Sequence, residues 1–310
     1  MLLLLALACG HRIAEPETAA TAPSPMGTPG LGGAALVVCR VEFATGTLPK
    51  GMVVAHGALK EDVPSTQSGL LLDHPGGTWL VDGGMGLGYE ASMRDVKGLV
   101  GFAMRQASKG WTRTGTPEEA VRLAGVDPAG LKGAIVSHGH FDHLGGLLDL
   151  PGVPIWAPSA ELEEASAVSA GGKGSFLPAE ARALGPRGRP IVFDGPPIGP
   201  YPASWDLYGD GSAVIVPMPG HTPGSVGTLL RLADGRRLFH VGDTVWVREG
   251  YEAREPKGWI ASSFDSDRDA TDQQIQQLWQ LHRADPDLVI LPAHDRRQWE
   301  VLFGAAPCIR

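Results

Sequence analysis

Side chains that commonly bind metal ions are concentrated in four short segments of this chain. The first segment, Ser137-His138-Gly139-His140-Phe141-Asp142-His143, holds three histidines and one aspartate within six residues. Burying such a group without metal ions or hydrogen-bond partners would cost several kcal/mol, so the spacing favours a metal site over ordinary core packing. The other three segments are Pro219-Gly220-His221, Gly242-Asp243-Thr244 and Ala293-His294-Asp295.

The first segment begins two metal centres but completes neither. A divalent ion such as Zn²⁺ binds imidazole nitrogen and carboxylate oxygen at ~2.0 to 2.2 Å and usually takes four ligands. His221, Asp243 and His294 supply the missing ligands. Two ions ~3.5 to 4 Å apart lower the pKa of a shared water, so hydroxide is present near neutral pH and attacks a carbonyl or phosphoryl group. The pattern therefore predicts a hydrolytic site that needs no serine or cysteine nucleophile.

The choice of metal is less sharply defined than the ligand set. Zinc is the default for a site rich in histidine, while Mn²⁺ and Fe²⁺ stay open when a carboxylate bridges two ions. Four other histidines stand alone in the sequence, and we expect them to be ordinary core or surface residues. These are His56, His74, His240 and His282.

Each metal-type segment directly follows a predicted β-strand. Ligands at strand ends, supplied by segments far apart in the sequence, combine a rigid scaffold with chemistry on loops. The predicted strands are residues 133–136 before the first segment, 213–216 before His221, 237–241 before Asp243 and 288–291 before His294.

The other predicted elements complete a mixed α/β pattern. A β-meander opens the domain, and Thr116-Pro117-Glu118-Glu119 has the form of a capping box that starts a helix ending near Ala124. The predicted meander strands are residues 37–43, 68–73 and 78–81, with a turn at 74–77. Further predictions are helices at 160–168 and 270–282, a strand at 191–193, and hairpin turns at 210–211 and 234–235.

The order of the four segments, with Pro-Gly-His-Thr-Pro-Gly-Ser around His221 and Val-Gly-Asp around Asp243, resembles the metallo-β-lactamase-fold hydrolase superfamily. The similarity extends over nearly the whole chain from about residue 35. It implies an α/β fold, an αββα sandwich with the metals at one edge of the two sheets. It also implies a metal-dependent hydrolase that uses a metal-bridging hydroxide to cleave an ester, a lactone or a related bond.

The same resemblance assigns roles to individual residues. One metal would be held by His138, His140 and His221, and the other by Asp142, His143 and His294. Asp243 would bridge them, and Asp142 and Asp243 would take part in catalysis. Asp82, in Leu80-Val81-Asp82-Gly83-Gly84, matches the first motif of the superfamily and would orient a ligand histidine from outside the ligand set.

Within the superfamily, the motifs are most similar to N-acyl homoserine lactonases. True β-lactamases lack the bridging carboxylate, and the 16 residues after His294 leave no room for the helical domain of glyoxalase II. Lactonases carry a tyrosine three residues after the bridging aspartate, where this chain has Trp246, which donates through its indole N–H. A phosphodiester or thioester substrate is the alternative. A non-catalytic or redox metal-binding protein of the same fold is the alternative function.

Aromatic residues near the metal segments suggest where a small-molecule substrate binds. Phe141 lies inside the first segment and is predicted, with Trp246, to contact substrate. Two further groups either cover the metals as an apolar lid or simply pack helices onto the sandwich. They are Tyr89, Phe102, Met104 and Trp111 after Asp82, and Trp246, Tyr251 and Trp259 after Asp243.

Charge and the terminal segments limit the partners and the compartment. A formal net charge of -8 argues against nucleic-acid binding, which depends on Lys and Arg. Residues 1–34 resemble a lipoprotein signal followed by a flexible linker, in which Ala6-Leu7-Ala8 precedes a lipidated Cys9; a simple apolar tail is the alternative. We therefore expect an exported, membrane-tethered protein with its hydrolase domain at 35–310. Cys39 and Cys308 are either a disulfide or two free thiols, and the oligomeric state is open.

Overall fold

The structure, a computed structural model, describes residues 12–13, 26, 36–94, 96, 101, 105 and 108–310. The predicted lipidation site Cys9 and two of the predicted lid residues, Phe102 and Met104, lie outside these residues. Within the described part of the chain, no helix combines the length and hydropathy needed to cross a bilayer.

The first sheet has eight strands. Its order is β13-β1-β2-β3-β5-β6-β7, and β4 pairs with β1. The meander β1 to β3 is antiparallel, whereas β3, β5, β6 and β7 run parallel to one another. The strands are β1 Val37–Pro49, β2 Asp62–Asp73, β3 Thr78–Val81, β4 Thr112–Arg113, β5 Leu131–Ile135, β6 Ile155–Pro158, β7 Gly188–Ile191 and β13 Cys308–Ile309.

The second sheet has five strands in the order β12-β11-β10-β9-β8. Its β8–β9 and β10–β11 pairs are antiparallel, with turns at the two predicted positions, and β11 and β12 are parallel. The strands are β8 Trp205–Asp206, β9 Ala213–Pro217, β10 Val226–Arg231, β11 Arg237–His240 and β12 Leu288–Leu291.

The described part of the chain contains nine α-helices. The capping box at Thr116 is present: its hydroxyl accepts from Glu119 N at 3.2 Å, and the Glu119 carboxylate accepts from Thr116 N at 2.8 Å. The helices are α1 Lys50–Val53, α2 Tyr89–Ser92, α3 Pro117–Leu123, α4 Phe141–Asp149, α5 Ser159–Ser169, α6 Pro178–Leu184, α7 Glu249–Glu252, α8 Arg268–Ala284 and α9 Arg296–Phe303.

The protein has four layers, which are helices, the first sheet, the second sheet and helix α8. Three large apolar clusters fill the spaces between them. Side chains alternate along each strand, so Leu70 and Leu72 of β2 point between the sheets while Leu71 points to the outer face. The outer face of the first sheet is covered by α3 to α6, with Leu147 and Leu184 among the contacts. The outer face of the second sheet is covered by α8. The αββα sandwich is therefore confirmed.

Several element boundaries differ from the predicted ones. The hairpin of β1 and β2 extends well beyond residues 43 and 68, where buried polar residues such as Ser65 and Thr66 hide the strand pattern. The strand predicted at 191–193 lies at Gly188–Ile191. Helix α4 begins at Phe141, inside the predicted loop, with His140 as its extended N-cap residue. Asp142 and His143 are consequently fixed on a first helical turn.

Described residues toward each end of the chain contact the sandwich. Cys39 of β1 and Cys308 of the edge strand β13 form a disulfide, so of the two alternatives the structure has the paired one. Ile13 and Met26 fall in the stretch predicted as a flexible linker, yet both are buried in the cluster beneath α8. At these two positions the chain packs on the domain. The division at residue 34 stays a prediction.

Candidate metal centre

The two sheets deliver all four metal-type segments to one site. Strand β5 leads to the first segment, β9 to His221, β11 to Asp243 and β12 to His294. Six of the seven predicted ligands are buried, with at most 6% exposure, and the Asp142 side chain is 15% exposed. The structure therefore brings together every residue predicted as a ligand.

The ligand atoms divide into the two expected sets. Within each set they lie no more than 4.8 Å apart. One set is His138, His140 and His221, and the other is Asp142, His143 and His294. The first set thus contains three imidazoles, and the second contains two imidazoles and one carboxylate.

Asp243 lies between the two sets, with one oxygen toward each. Its Oδ2 is 3.5 Å from His221 Nε2 and 3.9 Å from His138 Nε2. Its Oδ1 is 3.1 Å from His294 Nε2 and 3.2 Å from His143 Nε2. A carboxylate in this orientation is suited to bridging two cations.

Unpartnered polar atoms show that the residues fit divalent metal ions. Nε2 of His138, His143 and His294 and Oδ1 of Asp243 are buried and make no hydrogen bond, although Asp243 Oδ1 lies within 3.2 Å of two of these nitrogens. Leaving a buried polar atom unpaired costs about 1–3 kcal/mol, and here four of them converge. Histidine nitrogens with carboxylate oxygens are the donor set of zinc and similar ions.

Electrostatics keep His138, His140 and Asp243 in the protonation states that bind metals. Burial and the neighbouring imidazoles hold the pKa of His138 and of His140 well below the ordinary value, so both rings are neutral. Burial acts in the opposite direction on Asp243, but the charges of His294 and His143 hold its pKa well below the ordinary value. Neutral imidazole and ionised carboxylate are the ligating forms. For His143 and His294, burial acts to lower the pKa but the charge of Asp243 raises it above the ordinary value, so a metal displaces a proton from each of these rings.

Asp82 occupies the place that the sequence motif implied. Its Oδ2 accepts from His143 Nδ1 at 2.8 Å and from Ser137 Oγ at 2.8 Å, and its Oδ1 accepts from Ser137 N at 2.7 Å. Its φ of 60° lies in the left-handed region, which is unfavourable for a residue other than glycine. The backbone accepts this conformation where the carboxylate orients His143.

Two buried residues beside His221 were not found by sequence reasoning. Asp265 Oδ1 lies 2.7 Å from His221 Nδ1, and Lys257 Nζ lies 2.5 Å from the same oxygen. They come 44 and 36 residues after His221 along the chain. No local spacing connects them to it, so only the fold reveals them.

Glu161 is a third residue that the sequence did not indicate. Its carboxylate accepts from Gly139 N at 2.5 Å, from Gly224 N at 2.9 Å and from Thr222 Oγ1 at 2.9 Å. Burial raises the pKa of Glu161 to about 7. It joins the loop of His138 and His140 to the loop of His221, and so sets the spacing between them.

The predicted substrate contacts differ in position. The Trp246 ring is 5.3 Å from that of His294, and its buried Nε1 has no hydrogen-bond partner. Phe141 is half-buried against Tyr89, with ring centroids 4.6 Å apart. Trp111 lies 6.1 Å from His294. Phe264, which sequence reasoning missed, lies 5.7 Å from His140.

The remaining aromatic residues of the predicted lid have other surroundings. Tyr251 is buried against His282 at 5.2 Å, and Trp259 is 56% exposed. For these two the packing alternative describes the structure. Among the isolated histidines, His56 and His74 pair with surface acids. His240 is fully buried with neither ring nitrogen partnered among the described residues, and burial lowers its pKa to about 4.

Comparison with known proteins agrees with this geometry. The family model of the Metallo-beta-lactamase superfamily matches residues 63–294. The N-acyl homoserine lactonase AttM of Rhizobium radiobacter is 25% identical over an alignment of 246 residues, which covers 76% of this chain and 84% of that protein.

Solved structures share the fold. A mutant of AiiA from B. thuringiensis, with N-decanoyl-L-homoserine bound at its active site, superposes with a TM-score of 0.62 at 18% identity, covering 86% of this chain and 95% of that one. AidC, a dizinc quorum-quenching lactonase, gives 0.59 at 17% identity, covering 86% and 90%.

The chain belongs to the metallo-β-lactamase superfamily. The predicted family is confirmed, and so is the prediction of a metal-dependent hydrolase. Its site holds the imidazoles and carboxylates that a divalent metal requires.

Proposed function

We propose that this protein is a dinuclear zinc lactonase that opens the ring of an acylated lactone. The observation that carries the proposal is the orientation of Asp243, whose two oxygens face different ligand sets. A relative whose sequence aligns with this chain over most of its length is named an N-acyl homoserine lactonase, which supports a lactone as the bond that is cleaved.

Seven residues would hold the two cations. His138, His140 and His221 form one position, Asp142, His143 and His294 form the other, and Asp243 serves both. Two zinc ions would supply Lewis acidity and a shared water of lowered pKa. Asp82, Asp265 and Glu161 hold the ligand loops and so help to fix the positions of the donor atoms.

Trp246 and Phe141 are the proposed substrate contacts. The Nε1–H of Trp246 is a buried donor without an acceptor, beside His294, and would donate to the lactone carbonyl oxygen as negative charge develops on it. Phe141, Trp111 and Phe264 provide apolar surface around the ligand cluster. This combination suits a small molecule with a polar ring and an apolar chain. The negative net charge of the chain supports a role without nucleic acid.

We further propose that the protein is exported and lipid-anchored through Cys9. The disulfide of Cys39 and Cys308 supports an oxidising compartment. In cells, Cys9→Ser is expected to move the protein from the membrane fraction to the soluble fraction. Unchanged membrane recovery would remove the anchor from the proposal.

A combined metal and substrate assay tests the proposed activity. Lactone hydrolysis releases a carboxylic acid, so ring opening of N-acyl homoserine lactones of several chain lengths can be followed with a pH indicator. Two zinc ions per chain are expected by elemental analysis, with turnover that His140→Ala abolishes. A protein that binds metal but turns over only thioesters or phosphodiesters, or none of the panel, would refute the lactonase assignment.

A further inference from the structure

Two ligand histidines have a buried carboxylate on the ring nitrogen that faces away from the cluster. His143 Nδ1 is 2.8 Å from Asp82 Oδ2, and His221 Nδ1 is 2.7 Å from Asp265 Oδ1. Both aspartate side chains are 2% exposed. Such carboxylates fix the tautomer of the imidazole and increase its basicity as a ligand. Each ligand set therefore contains one carboxylate-supported histidine.

The two pairs differ in one residue. Lys257 Nζ lies 2.5 Å from Asp265 Oδ1, and its side chain is 3% exposed. The other hydrogen bonds that Asp82 receives among the described residues come from the backbone N–H and the hydroxyl of Ser137, which are neutral. Asp265 is thus balanced by a buried cation, whereas Asp82 is not.

The positions of the protons follow from the geometry. Nε2 of His221 faces His140 Nδ1 at 3.0 Å, on the metal side of the ring. The proton of a neutral His221 must then be on Nδ1, where it is donated to Asp265. Lys257 Nζ is 2.9 Å from Nδ1, but both atoms are donors that share the same oxygen. Lys257 therefore withdraws charge that Asp265 would otherwise place on His221.

Charge balance separates the two metal positions. At the first, the charges of Asp265 and Lys257 cancel, and all three ligands are imidazoles, which carry no charge when they bind a metal. At the second, Asp142 and Asp82 contribute two negative charges, and Asp243 is shared. Buried Glu161 and Glu180 lie near the first and second sets respectively, and burial raises the pKa of both, which limits their contribution.

We infer that the Lys257–Asp265 pair makes the two positions unequal, so that a divalent cation binds more weakly at His138, His140 and His221 than at Asp142, His143 and His294. The inference rests on the proposed two-metal function. Lys257 and Asp265 act through His221 and are positioning residues. The position that binds more weakly is also the more electron-poor one and exchanges its cation first.

Metal titration of the full chain tests this inference without measuring activity. Protein stripped of metal by a chelator is titrated with Zn²⁺ in competition with a chromophoric chelator. Two binding steps are expected, with affinities about tenfold or more apart. His294→Ala is expected to retain the weak step, and His140→Ala the tight one, which assigns each step to its position.

Lys257→Met gives the decisive comparison. It is expected to tighten the weak step about tenfold and to leave the tight step unchanged, whereas Lys257→Arg keeps the wild-type values. A merely structural lysine would instead weaken binding in Lys257→Met. If Lys257→Met does not fold, Asp265→Asn keeps an oxygen acceptor but leaves the lysine unbalanced, and it must weaken the weak step alone.

The possible failures are distinguishable. Two equal steps in the wild type, or a Lys257→Met variant with weaker binding, would overturn the inference and leave the two-metal proposal standing. A wild-type chain that binds no zinc would overturn both. If the wild type shows only one binding step, and that step is lost in His140→Ala but kept in His294→Ala, the first position is the tighter one and the inference is refuted.

Discussion

Oδ1 of Asp243 lies 3.1 Å from Nε2 of His294, although the two residues are 51 positions apart in the sequence. Their strands explain this proximity: β11 and β12 are parallel neighbours, and His240 pairs with Leu291. Asp243 and His294 each follow three residues later, so the strand register brings them side by side. The carboxylate that serves both ligand sets is therefore positioned by sheet pairing.

Asp243→Asn is expected to lower metal content and hydrolytic rate together. The substitution keeps the size of the side chain but removes the negative charge shared by the two sets, so affinity should fall at least about tenfold. Elemental analysis after dialysis, with the rate measured on the same sample, checks this. Asp234→Asn, in an exposed hairpin turn, is the matched control. Full metal occupancy with a reduced rate would contradict the bridging role.

Trp246→Phe is expected to reduce kcat about tenfold or more while metal content stays unchanged. The variant keeps the aromatic surface beside His294 but loses the unpartnered Nε1–H, which is the proposed donor to developing negative charge. Steady-state kinetics separate this effect from a change in KM. Trp259→Phe, at an exposed tryptophan, should behave as the wild type. An unaltered kcat in Trp246→Phe would remove this residue from catalysis.

Local sequence pattern was sufficient for the strands that lead to the candidate ligands, and the structure brings those candidates together at one site. The strand at Leu288–Leu291 and the turns at residues 210–211 and 234–235 are reproduced, because buried strands and turn residues have strong local signals. The polar extension of the first hairpin was missed, since its buried residues include Ser65 and Thr66 rather than apolar side chains.

The supporting residues around the ligands could not be predicted from spacing. Glu161 acts on Gly139 and Thr222, which lie 22 residues before it and 61 residues after it. Lys257 and Asp265 reach His221 only through the folding of a separate loop. Charged residues are common in any sequence, and burial, which makes these three informative, is a property of the tertiary structure.

Glu161 gives a specific pH dependence of stability. Burial raises its pKa from 4.5 to about 7, so the folded protein holds this proton more tightly than the unfolded chain does. The stabilisation is complete below the pKa that Glu161 has in the unfolded chain. About 3 kcal/mol is lost as the pH rises through the pKa that it has in the folded protein. Glu161→Gln does not titrate. The free energy of unfolding is measured with urea near pH 5 and near pH 8 for both proteins. Between these two pH values the wild type should lose about this much stability relative to Glu161→Gln.

A shift of the same size in the Glu161→Gln variant and the wild type would mean that other groups cause it. Glu118→Gln, on the first turn of α3, supplies the control for exchanging a carboxyl for an amide elsewhere in the protein. The metal-free protein is the sample of choice, because proton competition at the ligand histidines then contributes equally to each variant.

Cys308→Ser is expected to lower the free energy of unfolding by about 2–5 kcal/mol. The disulfide links positions 269 residues apart and holds the two-residue strand β13 against β1. Urea unfolding under oxidising conditions measures the loss. Adding a reductant should bring the wild type down to the value of the variant. Equal stability of the two proteins without reductant would show that the bond contributes nothing to the fold.

Gly139→Ala is expected to destabilise the protein by about 1–3 kcal/mol and to lower its metal content. A Cβ at this position would lie 2.0 Å from Cζ of the buried Phe176, so either the ring or the loop must move. The loop carries His138 and His140 on either side, and its displacement separates their nitrogens from His221. Gly88→Ala, where a Cβ has open space, is the control. Phe176→Leu combined with Gly139→Ala should recover part of the metal content, and a double variant no better than Gly139→Ala alone would show that this contact is not the cause.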